Sequence, residues 1–413
     1  MNHFKPGLVL GVNRPVALVS GLVLATSVCI SATLLWRRPS SRKTPYEPSP
    51  AKTITAAHRL HDLPYPPDAL PGARDVETPY GWIRVYEWGP ADGERVLFVP
   101  GLSTPVVAFG DLGHDMVKRG CRVMLFDLFG RGYSDAPNDL VYDARLYVTQ
   151  ILLVLASSSL PWAATPGFHL VGYSLGGGLS IAFTRYFPHL VRSLCLITPC
   201  GLIRPRHVGW RSWLYYSSGL LPEFLVRHLV RRRIRPDAKL RGAAGVPDST
   251  AADGELAVNG DGDVNGGARF GGAPISRTRP HVTVSSVMAW QVDHHVGFVM
   301  AFLSTIRNAP IYAPQEDWKV LSKILEARRP RSGVDANSST EVEAGLEGGK
   351  ILVVLARDDD VVIMDETTED AYAVLGHDGA DFVILEGGHE LPITSSESVA
   401  RSIESFWTSR SIC

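Results

Sequence analysis

The stretch GFHLVGYSLGGG, residues 167–178, ends an apolar run in a serine fenced by glycines. Ser174 has Gly172 two positions before it and Gly176 two after, the spacing G-x-S-x-G. At such a sharp strand-to-helix turn the serine takes a strained backbone that lifts its hydroxyl clear of the sheet, and the glycines remove side chains that would collide. A serine hydroxyl holds almost no alkoxide at neutral pH, so it needs a base, and the base needs a carboxylate to orient it. His389, in LEGGHE directly after the last apolar run, stands where a base would, and ARDDDVVIM before it supplies the acid, in the order serine, acid, histidine. Asp359 fits the offset beyond the strand best, ahead of Asp360 and then Asp358.

Negative charge developing on an attacked carbonyl needs donors. In VPGLST, after the run RVLFV, Gly101 marks a turn, and the N–H of Leu102 would join that of Leu175 in an oxyanion hole. Backbone donors make the side chains there unimportant. His294 and His295 read as cap packing rather than as substrate contacts.

These residues need a scaffold that brings loops together. Short apolar runs (GWIRVYEWG, RVLFVPG, CRVMLFDLFG, FHLVGYS, VRSLCLITP, KILVVLARDDD and DFVILEGGHE) alternate with helical patches such as DLGHDMVKRG and LGGGLSIAFTRYF. Continuous Val, Ile, Leu and Phe runs suit central parallel strands buried on both faces, so the fold class is α/β, a mostly parallel sheet with helices on both faces. The expected core runs over residues 78–201 and 309–413, with a cap insert at 202–308 after the sixth strand. Within the cap, residues 237–280 are so rich in Gly, Ala and Asp that they predict a disordered loop, as does the insert 331–349.

The cap segment RHVGWRSWLYYSSGLLPEFLVRHLVRRRIRP sets Trp210, Trp213, Tyr215, Tyr216 and Phe224, candidates to line an acyl pocket or to pack the cap, beside a basic run. Arg227, Arg231, Arg232, Arg233 and Arg235 read as a solvated helix face, with contact to anionic lipid as the alternative.

After a short segment 1–14, residues 15–36 (PVALVSGLVLATSVCISATLLW) carry no charge. A helix of about 22 residues would span roughly 33 Å, which predicts a transmembrane helix. The heavier basic flank follows it (Arg37, Arg38, Arg42, Lys43), which predicts a single-pass membrane protein with a cytoplasmic catalytic domain; a secreted or lumenal chain and a mitochondrial one are the alternatives. Residues 37–77, rich in Pro, Ser and Thr, read as a linker.

The 413 residues carry 41 Lys plus Arg against 42 Asp plus Glu, so no charge excess invites nucleic acid. Five scattered cysteines make neither a zinc site nor a disulfide framework and read as buried free thiols.

From about Thr78 onward, outside the inserts, the chain resembles an α/β-hydrolase fold serine hydrolase, on PGLS at 100–103, DLFGRGYSD at 127–135, GYSLGGG at 172–178, RDDDVV at 357–362 and GGHE at 387–390. The anchored layout is similar to membrane-anchored monoacylglycerol lipases, and HHVGFVMAFLSTIRNAPI is similar to valacyclovir hydrolase-like and meta-cleavage-product hydrolases. Pro100 stands where the family usually has a histidine before the oxyanion glycine, which leaves the N–H donor in place. The resemblance gives Asp127 and Arg131 a structural part and implies no metal or organic cofactor. The expected activity is hydrolysis of a lipophilic small-molecule or lipid ester, with the membrane as partner through the N-terminal helix. Hydrolysis or acyl transfer on a specialised metabolite, including carbon-carbon cleavage, and a noncatalytic binding protein on the same fold are the alternatives.

Overall fold

Burial of the apolar runs organises the chain. In the computed structural model, which describes residues 44–53, 63–207, 216, 222–235, 267–313, 316–329 and 344–409, they form strands β1 (Tyr46–Glu47), β2 (Arg74–Thr78), β3 (Gly81–Trp88), β4 (Arg95–Val99), β5 (Arg122–Phe126), β6 (Ala136–Pro137), β7 (Phe168–Tyr173), β8 (Val191–Ile197), β9 (Ile351–Ala356) and β10 (Ala380–Leu385). Eight of them make one sheet in the order β10-β9-β8-β7-β4-β5-β3-β2. The pairs from β10 to β5 are parallel, and β3 and β2 close the edge antiparallel. All six residues of β7 and of β9 are buried, as sheet centres covered on both faces must be.

Twelve helices, α1 (Pro50–Thr53), α2 (Gly110–Lys118), α3 (Ala144–Ala156), α4 (Leu175–Tyr186), α5 (Glu223–Ile234), α6 (Gly267–Gly272), α7 (Val284–His294), α8 (Phe298–Asn308), α9 (Glu316–Arg328), α10 (Met364–Leu375), α11 (Leu391–Thr394) and α12 (Ser396–Thr408), are described. One face of the sheet is covered by Leu146 and Ile151 of α3, Leu179 of α4, Leu321 of α9 and Leu375 of α10. Leu112 and Met116 of α2 with Val399, Ile403 and Trp407 of α12 cover the other. Each such side chain is worth roughly 1.5–3 kcal/mol when fully buried, which makes the two layers the main source of stability. Helices α5 to α8 lie between β8 and β9, after the sixth strand of the large sheet.

Three expectations change. Part of the stretch read as linker is packed: β1 pairs with β6, Tyr46 opposite Pro137, and β2 pairs with β3, Val76 opposite Ile83. Tyr65 is buried edge-on to Tyr133 and Trp290, and Lys52 meets Asp135 at 2.6 Å. The composition hid this because β2 (RDVET) is an edge strand whose alternate residues are exposed. Second, the ends of the two stretches read as disordered are structured. Helix α6 and the bridge between Pro274 and Thr283 are anchored by buried Phe270 and Ile275, and Leu346 is buried before β9. A few apolar anchors suffice in an otherwise polar sequence.

The third change concerns the membrane. Among the described residues no helix is long and apolar enough to cross one. The longest, α3, α9 and α12, have 13 residues each, about 20 Å at ~1.5 Å per residue, against a hydrocarbon core of ~30 Å. On that finding the single-pass placement with a cytoplasmic catalytic domain, and the membrane as a partner, are withdrawn. Residues 15–36, on which that expectation rested, lie outside the described residues.

Candidate active site

The loops after the parallel strands meet above the carboxyl ends of β4, β7, β9 and β10, the crevice where open α/β sheets place their ligands. Ser174 sits between β7 and α4 with φ 52° and ψ −119°, a left-handed conformation that costs a non-glycine residue about 1–3 kcal/mol. Three backbone bonds hold it there: its N–H donates to Ile197 O at 3.0 Å, and its carbonyl accepts from Gly177 N at 2.9 Å and Cys200 N at 2.8 Å. Gly176 is required for space, since a Cβ there would lie 2.0 Å from the Val99 carbonyl oxygen.

His389 Nε2 lies 3.0 Å from Ser174 Oγ, and its Nδ1 lies 2.8 Å from Asp359 Oδ2. The other carboxylate oxygen of Asp359 accepts from Val361 N at 2.8 Å and Val362 N at 2.9 Å, so the turn after β9 fixes this carboxylate. With the carboxylate accepting at Nδ1, the imidazole carries its proton there and turns a lone pair toward the serine. Ser174, Asp359 and His389 are 6%, 5% and 6% exposed, and this burial strengthens each charge-assisted contact. The neighbouring carboxylates stand apart from this chain: Asp358 pairs with Arg269 of the cap segment at 3.1 Å, and Asp360 is exposed.

Tyr173 donates its hydroxyl to the His389 carbonyl at 2.6 Å and lays its ring 5.1 Å from the imidazole, while Phe270 meets that imidazole edge-on at 5.6 Å. Arg269, Asp358, Asp360, Gly388, His389 and Glu390 bound a cavity of about 260 Å³ beside the histidine. Cys200 Sγ is 3.7 Å from Ser174 Oγ, and burial pushes this thiol up to about 12, so it is a neutral neighbour.

Pairing of Val99 with Gly172 carries Gly101 and Leu102 alongside Ser174. A Cβ on Gly101 would stand 3.0 Å from the Tyr173 ring, which is why the loop can come this close. Leu102 N–H and Leu175 N–H make no hydrogen bond within the described residues. Beneath this loop Asp127 accepts from Val106 N at 2.7 Å and Tyr133 N at 2.9 Å, and burial pushes its carboxyl up to about 6. Arg131 is fully buried and donates to Leu102 O, Phe129 O, the Tyr147 hydroxyl and Thr305 Oγ1.

Of the other candidates, His295 is buried with Nε2 2.9 Å from Ser134 O and His294 is exposed. Tyr216 is buried in the core, but Phe224 is 77% exposed and does not line a pocket, because it falls on the outer face of α5. Trp210, Trp213 and Tyr215 lie outside the described residues. Arg227 pairs with Glu223, and Arg231 and Arg235 with Asp293. Cys121, Cys195 and Cys200 are buried, Cys195 and Cys200 as free thiols, whereas Cys29 and Cys413 lie outside the described residues. No group of three or more His, Cys, Asp or Glu suited to a metal ion occurs among the described residues.

A serine on a strained turn, hydrogen-bonded through a histidine to a carboxylate on a mostly parallel sheet, defines a class. Residues 94–396 match the alpha/beta hydrolase fold family, and the chain belongs to it. It is similar to a serine hydrolase-like protein from Danio rerio, 28% identical over 129 residues, 31% of this chain and 38% of that protein. It is also similar to a 2-hydroxy-6-oxo-2,4-heptadienoate hydrolase from Pseudomonas putida, 32% identical over 112 residues, 27% and 39% of the two chains. The chain thus spans about two-fifths of the length of these curated relatives. Among solved structures, a membrane phospholipase A described as a bacterial virulence factor superposes with a TM-score of 0.52 over 96% of this chain and 99% of that one, at 15% identity. At that identity the likeness is one of fold.

Proposed function

We propose that the protein is a serine hydrolase that cleaves carboxylic esters of lipophilic small molecules or lipids through an acyl-enzyme. The observation that carries the reading is the chain Ser174 Oγ, His389 Nε2, His389 Nδ1, Asp359 Oδ2, with links of 3.0 and 2.8 Å. Ser174 Oγ attacks the acyl carbon while His389 Nε2 takes its proton, and Asp359 steadies the imidazolium that forms. Leu102 N–H and Leu175 N–H receive the charge growing on the carbonyl oxygen. Collapse expels the alcohol, protonated by His389. Water, deprotonated by His389, then attacks the acyl-enzyme and returns the serine with the acid product.

The rings of Phe270 and Tyr173 beside His389 support an apolar acyl or leaving group. The similarity to a 2-hydroxy-6-oxo-2,4-heptadienoate hydrolase favours a second reading on the same residues, cleavage of a carbon-carbon bond in a vinylogous diketone. Turnover of a p-nitrophenyl and monoacylglycerol ester series by the full chain, beside Ser174→Ala, tests the choice. Ser174-dependent ester turnover that rises with acyl length is expected. Inertness to every ester with turnover of a vinylogous diketone would overturn the ester reading.

A further inference from the structure

We propose that Gln291, on cap helix α7, is a positioning residue that holds the oxyanion loop of the core, so that cap docking and assembly of the oxyanion hole are one event. Gln291 is fully buried, 188 residues from the loop it touches. Its Nε2 donates to Ser103 O at 2.9 Å, and its Oε1 accepts from Gly132 N at 2.9 Å. One side-chain amide thus ties the loop after β4 to the turn after β5, supplying a donor at one end and an acceptor at the other without any change of protonation.

The tie is shared. Arg131 donates Nε to Leu102 O at 3.0 Å, and its Nη2 donates to Thr305 Oγ1 of cap helix α8 at 3.0 Å. Among the described residues no carboxylate lies within ion-pair distance of this buried guanidinium; neutral acceptors hold it, one of them supplied by the cap. The carbonyls of Leu102 and Ser103, which directly follow the proposed donor Leu102 N–H, are therefore both gripped, one by Arg131 and one by Gln291. Oxyanion donors act only when held at hydrogen-bond distance from the developing charge, and a misplacement well under an ångström weakens them, so freeing either carbonyl lets the Leu102 N–H drift. Gln291 touches neither nucleophile nor base, and its effect belongs to the transition state.

This inference rests on the serine hydrolase reading for its catalytic consequence, but not for the contact itself. The test uses the full chain carrying Gln291→Glu, nearly isosteric, which keeps the acceptor for Gly132 N–H and sets a carboxylate oxygen against Ser103 O. Gln291→Met serves as a second variant should the first fail to fold. Three quantities are read: amide hydrogen exchange of the 100–105 segment, kcat and KM on p-nitrophenyl butyrate, and affinity for an alkyl trifluoromethyl ketone, whose adduct carries the oxyanion. Exchange in the segment should quicken. The kcat should fall about tenfold or more with KM within about twofold, and ketone affinity should fall in step with kcat/KM. The deficit of Gln291→Glu should narrow as pH falls and the introduced carboxyl gains a proton with which to donate. Unchanged exchange overturns the positioning role, and so does faster exchange with unchanged kcat, or a loss confined to KM. A wild-type chain that neither turns over an ester nor takes a fluorophosphonate refutes the hydrolase reading, and the catalytic consequence falls with it. Exchange in the variants then still decides whether the cap amide holds the loop.

Discussion

At the scale of the residue, three neighbouring carboxylates have been sorted by what surrounds them. Asp359 turns inward, one oxygen on His389 and the other on two backbone N–H groups, while Asp358 faces Arg269 and Asp360 faces solvent. Asp359→Asn keeps the shape but lets the imidazole take the wrong tautomer, and kcat on a p-nitrophenyl ester should drop by about 10³ to 10⁴. Asp360→Asn alters the rim of the cavity but no link of the Ser174–His389–Asp359 chain, so kcat should fall far less than in Asp359→Asn. Gly176→Ala would drive a methyl group to 2.0 Å from a main-chain oxygen of β4, so urea unfolding should show a loss of about 3 kcal/mol or more. The serine, the histidine and the elbow glycines were legible in the sequence because their signal is local: an apolar run, a turn and a helix within a dozen residues. Gln291 left no such signal, since what distinguishes it is a contact with Ser103, far away in the chain.

At the scale of the element, the cap helices are fastened to the core by buried polar groups, and one of them titrates. His295, at the end of α7, hangs from Ser134 O with Nδ1 unpartnered. Burial is the main reason its imidazole is held down to about 4, against 6.5 when free. The unfolded chain accepts a proton that the folded chain refuses, so the stabilisation is whole above about 6.5 and drains as pH falls toward 4. Asp127, pushed up to about 6 by burial, acts with the opposite sign, its contribution being lost as pH rises through about 6. The comparison is therefore between wild type and His295→Gln, in which Asp127 is common. Between pH 6.5 and 4 the wild-type melting temperature should drop relative to the variant, by the equivalent of roughly 3 kcal/mol. Parallel slopes would show that the ring titrates normally. Strands β4, β7 and β9 were readable from sequence because they are continuously apolar, whereas β2 escaped because an edge strand alternates with charge and looks like linker.

At the scale of the whole molecule, a parallel sheet with two covered faces brings together groups drawn from residues 101 to 389. The fold class could be read from the alternation of runs, and the order of serine, acid and histidine from their places at strand ends. Packing of residues 45–53 and 63–78 onto the core could not, because it depends on single anchors such as Tyr65. Cys195 and Cys200 report on the integrity of this architecture: burial pushes both thiols up to about 12, so at pH 8 iodoacetamide should leave them unmodified until denaturant unfolds the chain, in one transition with the loss of circular dichroism. Modification of Cys200 in the native chain would mean that the floor beside Ser174 is open. Whether Ser174 is an activated nucleophile is decided by treating the full chain, Ser174→Ala and His389→Ala with a fluorophosphonate and reading the adduct by intact mass and peptide mapping. One adduct is expected, on Ser174, absent from Ser174→Ala and formed far more slowly in His389→Ala. A folded wild-type chain that takes no adduct, or takes it on another serine, would contradict it.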